Sequence, residues 1–104
     1  MPELKLVWAP EAETDLLSIW NWGASHFSRE AADAHLRDIN RAVANLTKFP
    51  HAGAARDHIV PGIRSIVVHP TVVFYRIGSA SIDIVRVVDG RRNLAALFPR
   101  DEGA

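Results

Sequence analysis

The 104-residue chain contains no cysteine. That excludes a disulfide framework and thiolate metal ligands, and it predicts a reducing, cytoplasmic setting. Only two lysines are present, Lys5 and Lys48, so a cationic surface in the second half has to be built from arginine. No apolar stretch approaches the roughly 18 residues of a membrane span, and the opening MPELKLVWAP lacks a signal peptide's basic region followed by an apolar one. No membrane association is expected. Lysine plus arginine balances aspartate plus glutamate at 12 each, which argues against direct, sequence-specific DNA binding. The six glycines are scattered, with no phosphate-cradling G-x-x-x-x-G-K-S/T or G-x-G-x-x-G loop, and no G-x-S-x-G nucleophile elbow occurs. The five histidines show no paired metal spacing, so neither a metal nor a cofactor is assigned.

What is present suffices for one modest core, since 48% of the residues are apolar, and a single domain over residues 1–104 is expected. The strongest organisation lies between Pro61 and Arg92. β-Branched and aromatic residues crowd into Ile63 to His69, Val72 to Ile77 and Ile82 to Val88, three strands in which such side chains pack well. The connections His69-Pro70-Thr71 and Gly78-Ser79-Ala80 are too short for a parallel crossover, so the strands form an antiparallel meander. Its last strand is apolar on both alternating sets, which predicts cover on both faces. Helices can cover one, and a partner is a candidate for the other.

Upstream, Leu4 to Trp8 alternates as a short strand that must join this sheet. Pro10 in a first turn with Glu11 and Glu13 starts a helix, whose buried face is predicted to carry Ala12, Leu16, Ile19, Trp20, Gly23 and Phe27. Trp22 falls off that face, as a rim residue or a partner-binding anchor. Ser28 caps a second helix with Ala32, His35, Leu36, Ile39, Val43 and Leu46 along one stripe, ending at Phe49-Pro50. His35 is expected at the core boundary, bonded to a carbonyl. Residues 51–60 form a loop, and the tail after Gly90 begins Arg91-Arg92 and contains the short apolar segment Leu94 to Phe98. The class is α+β: a short N-terminal strand, a two-helix hairpin, then a three-stranded antiparallel meander, all strands in one sheet.

Charge is unevenly distributed. Residues 53–104 hold seven arginines against five acids, and Arg64, Arg76, Arg86, Arg91 and Arg92 lie on or just after the meander. Guanidinium forks suit carboxylate or phosphate recognition. Arg86 stands apart because it interrupts an apolar strand, where an unpaired charge is costly. It must pair with an acid or open toward a binding surface.

The element order, together with W-A-P-E-A-E-T-D-L (Trp8 to Leu16), L-x-x-F-P-x-x-G (Leu46 to Gly53), P-G-I-R-S (Pro61 to Ser65), V-V-F-Y-R-I (Val72 to Ile77) and I-V-R-V-V-D-G-R-R (Ile84 to Arg92), resembles the ParE/RelE superfamily of type II toxin-antitoxin toxins. The ParE branch is the nearer one. That resemblance implies a growth-inhibiting toxin that binds DNA gyrase and is neutralised by a ParD-like antitoxin wrapped over its sheet and helix surfaces. Candidate antitoxin or target contacts are Trp22, Arg64, Tyr75, Arg76, Arg86, Arg91, Arg92 and Phe98. The RelE branch implies the alternative, a ribosome-dependent mRNA endoribonuclease. Against it, Arg92 matches an arginine of that branch, but Phe98 stands where its catalytic tyrosine is, and a phenyl ring transfers no proton. The meander has no lysine, and only His69 is placed to substitute. No catalytic residue is assigned.

Overall fold

The computed structural model describes residues 4–90. The expectations placed on Arg91, Arg92, Phe98 and the apolar segment around it therefore lie outside the described residues. Strand β1 (Lys5–Trp8) leads into helix α1 (Pro10–His26) and helix α2 (Arg29–Asn45). A 3-10 turn (Pro50–Ala52) and the two-residue strand β2 (Ala54–Ala55) follow, then β3 (Arg64–Val68), β4 (Thr71–Ile77) and β5 (Ser81–Asp89).

The strands form one sheet in the order β1-β5-β4-β3-β2. The meander is antiparallel, as the short connections require, with Val73 opposite Ile66 of β3 and Val87 of β5. β1 runs parallel to β5, pairing Lys5 with Ser81 through Trp8 with Ile84, and the α-hairpin begins the crossover between them. On the β4–β5 ladder Phe74 faces Arg86 while Tyr75 faces Ile84, so Val85 is the extra residue of a bulge. β2 adds a fifth strand that the loop composition did not reveal; two alanines carry no alternation to read.

Both helices lie on one face of the sheet. Ala12, Ile39, Val43 and Leu46 pack there with Val73, Tyr75, Ile82, Ile84 and Val87 in one buried cluster. The opposite face holds a smaller cluster of Ile63, Val72, Phe74 and Val88, packed by Ile59, Val60 and Val85. The second cover of β5 thus comes in part from the chain's own 59–63 loop, where the sequence had suggested a partner. That loop is held closed by Asp57, which accepts from the Gly62 N–H at 2.8 Å, and by Arg76, which donates to the Pro61 carbonyl at 2.9 Å.

The helix ends follow local chemistry. Pro10 occupies the first turn of α1, and the Ser28 hydroxyl accepts the Ala31 N–H at 3.0 Å to cap α2. Ser28→Ala is expected to cost about 1 kcal/mol by leaving that N–H to water, a loss read as a lowered midpoint in chemical denaturation. Trp20 ties the hairpin from its side, its Nε1–H donating to Asp33 Oδ1 at 2.7 Å. α2 stops at Asn45, short of the expected Phe49-Pro50, and a series of tight turns carries the chain to Pro50.

Candidate partner-binding groove

Beyond Trp8 the chain leaves the sheet for α1, so the outer half of β5, paired with β4 on one side, has no strand on the other. A side chain substitutes. Asp15 of α1 accepts from Arg86 Nε at 2.8 Å and Arg86 Nη2 at 3.0 Å, and its Oδ2 also accepts the backbone N–H of Val87 at 2.9 Å. The expectation that Arg86 pairs with an acid is met by a two-pronged contact spanning 71 residues of sequence. These hydrogen bonds raise the Arg86 guanidinium above its ordinary value, outweighing the opposing effect of burial.

Above this pair, α1, α2 and the β4–β5 end of the sheet enclose a groove of about 610 Å³. Ile19, Trp22, Gly23 and Phe27 form one wall, Ala31, Ala32 and His35 a second, and Pro70, Thr71, Val87, Val88 and Asp89 the floor. Most of that lining is apolar, and among its polar side chains Asp15, His35 and Thr71 have partners inside the chain. His35 Nε2 lies 2.7 Å from the Thr71 hydroxyl, not from a carbonyl as the sequence suggested.

The rim is aromatic. Trp22 is 50% exposed and Phe27 72% exposed. Trp22 stacks on His26 with ring centroids 4.2 Å apart and meets Phe27 edge-on at 5.6 Å. Phe27 was expected on the buried face of α1; it lies one residue past the helix end, where the backbone turns away and the helical period no longer applies. Trp22 is where its departure from the buried stripe put it, beside open space.

The other candidate residues sit elsewhere. Tyr75 is fully buried, and as a surface contact it is overturned. Its hydroxyl donates to the Pro50 carbonyl at 2.6 Å and accepts the Gly53 N–H at 2.9 Å, fastening the 50–53 turn to the sheet. Arg64 works on the same turn, donating to the carbonyls of Gly53 at 2.6 Å and His51 at 3.3 Å. Arg76 holds the Pro61 carbonyl on the opposite face. The structure therefore does not gather Arg64, Arg76 and Arg86 into one cationic site. His69 is exposed at the β3–β4 turn. Among the described residues no group of three His, Asp or Glu side chains could hold a metal ion, and no helix is long and apolar enough to cross a membrane.

Sequence reasoning missed the groove residues Asp15, Phe27, Pro70 and Thr71. For Asp15 a signal existed: a lone arginine on an apolar strand requires an acid, and Asp15 is one helical turn beyond Glu11. Nothing local marked it out from its acidic neighbours.

Similarity to known proteins runs along this whole frame. Residues 6–94 match the family model described as the ParE toxin of the type II toxin-antitoxin system, parDE. Toxin ParE3 of Caulobacter vibrioides is 39% identical over 67 residues, 64% of this chain and 67% of that protein. Toxin ParE1 of Mycobacterium tuberculosis is 31% identical over 87 residues, 83% of this chain and 89% of its own length. A solved chain from the chromosomal ParDE TA system of P. aeruginosa superposes with a TM-score of 0.74 at 27% identity, covering 84% of this chain and 96% of that one. The family match spans both helices, the meander and the Asp15–Arg86 tie between them, and on that ground the chain belongs to the ParE toxins of type II toxin-antitoxin systems.

Proposed function

We propose that this toxin acts by binding, without breaking a bond itself, that its target is DNA gyrase, and that a ParD-like antitoxin silences it by filling the groove between the α-hairpin and β5. The observation that carries this reading is the groove itself. It pairs an apolar lining with exposed Trp22 and Phe27, a combination suited to desolvated aromatic anchors at a protein–protein interface. Two of its polar side chains support the same reading: Asp15 is engaged by Arg86 and the Val87 N–H, and His35 is bonded to Thr71. Tyr75, the chain's one phenol, is sealed in the core, where it cannot serve as a general acid or base for RNA.

The test is a supercoiling assay. Purified toxin added to gyrase is expected to reduce supercoiling and accumulate broken DNA, and prior addition of its ParD-like antitoxin restores activity. In parallel, translating ribosomes are given the same toxin. Cleaved message with unaffected supercoiling overturns the proposal in favour of ribosome-dependent RNA cleavage.

A further inference from the structure

We propose that filling the groove is coupled to loss of a proton at His35, so that acidification releases the partner. This rests on the reading above that an antitoxin occupies the groove. His35 is half-buried on α2 and lines the groove wall, with Nε2 held 2.7 Å from the hydroxyl of buried Thr71. In the open groove, water can solvate an imidazolium at this position. A partner laid across the groove replaces that water with apolar atoms, and burial of a charge lacking a dedicated counter-ion is costly.

The charged groups around His35 do not offer an idle counter-ion. From α1, Asp15 faces the groove with its carboxylate already bound by Arg86 and the Val87 N–H. From β5, Asp89 is the register partner of Thr71 and is itself engaged. On α2, Asp38 lies one turn on, exposed, and 3.9 Å from Arg41. On the rim, the other titratable group is His26, its Nδ1 2.8 Å from the Trp22 carbonyl and its ring stacked on the indole. Covering the groove therefore favours neutral His35, and reciprocity requires that protonating His35 disfavours the partner. Acidification therefore weakens the complex, because a protonated imidazole would have to be buried beneath the partner.

The experiment uses the full chain and its ParD-like antitoxin, with affinity measured by calorimetry from pH 7.5 to 5.5. Wild type is expected to weaken about tenfold over that range, and His26→Gln to keep that slope. His35→Gln is expected to flatten it, whatever that variant's affinity at pH 7.5. Binding at pH 6 in two buffers of different ionisation enthalpy gives an independent reading, needing no variant: a fraction of a proton is released per complex. No binding at pH 7.5 overturns the groove reading and this proposal with it. Tight binding with no pH dependence, or a slope that survives His35→Gln and disappears in His26→Gln, overturns the His35 assignment alone.

Discussion

Tyr75→Phe lowers the unfolding free energy by about 2–4 kcal/mol, because one missing oxygen strands a buried N–H and a carbonyl together. The side chain is fully enclosed, and its hydroxyl is both the acceptor for the Gly53 N–H and the donor to the Pro50 carbonyl. The phenylalanine ring fills the same space, so packing is retained and the loss reports the two hydrogen bonds. In a domain of this size each kcal/mol displaces the thermal midpoint by about 4–8 °C, so a drop on the order of 10–25 °C is expected in a calorimetric scan. Gly53→Ala attacks the same junction from the other side. A Cβ there would stand 2.6 Å from the Tyr75 oxygen and 2.7 Å from the Ser65 carbonyl oxygen, a distance the β3 backbone can relieve only by shifting. Its cost is expected to be of similar size. A midpoint within about 3 °C of wild type for both variants, less than 1 kcal/mol on that scale, would show that water replaces the hydroxyl and that the turn is not fastened there.

That junction explains physically a segment that was recognisable before it was understood. The L-x-x-F-P-x-x-G run reads as a motif because Leu46 closes the core, Pro50 presents a carbonyl to Tyr75 and Gly53 leaves room for the phenol. Periodicity was informative where each residue has one neighbour set. The meander strands, the Ser28 cap and the α2 stripe were legible for that reason, since alternation and the 3.6-residue repeat encode which face is buried. What escaped were features set by contacts remote in sequence. β2 is too short to alternate, the 59–63 loop covers the sheet by virtue of where the turn places it, and Phe27 is exposed because the helix has already ended. The candidate site was legible only at Trp22. The arginines drew attention as charges on a strand-rich segment, yet Arg64 and Arg76 satisfy backbone carbonyls of loops whose position no local pattern reveals. Tyr75 illustrates the same limit: an aromatic with a polar tip suits a binding surface and a buried staple equally well, and only the three-dimensional position of Gly53 decides between them.

Asp15→Ala is expected to be the second severe substitution, and the one that links stability to the groove. Removing the carboxylate leaves the Arg86 guanidinium and the Val87 N–H without their acceptor at a site where the two side chains are 14% and 25% exposed. Breaking a well-buried pair from one side costs about 3–5 kcal/mol, and the partial exposure here places the loss nearer 2–4 kcal/mol. Arg86→Met should cost less, since Asp15 still accepts the Val87 N–H and the methionine stem keeps the contacts of the arginine chain. The order Asp15→Ala worse than Arg86→Met is therefore the signature of a carboxylate serving two donors; the reverse order would assign the stability to the guanidinium instead. The pH dependence has a definite sign. With its guanidinium raised by Asp15, Arg86 contributes fully below the unfolded arginine's value and loses that contribution only as pH rises through strongly alkaline values. Arg86 therefore keeps its charge throughout the neutral and acid range, and any slope in partner binding between pH 7.5 and 5.5 cannot come from loss of its proton. Because Asp15 also lines the groove, freeing the β5 edge should disturb the groove wall as well. Antitoxin affinity is then expected to fall in Asp15→Ala even at temperatures where the variant is fully folded, whereas Tyr75→Phe, whose hydroxyl serves the 50–53 turn and not the groove lining, loses stability and keeps its affinity.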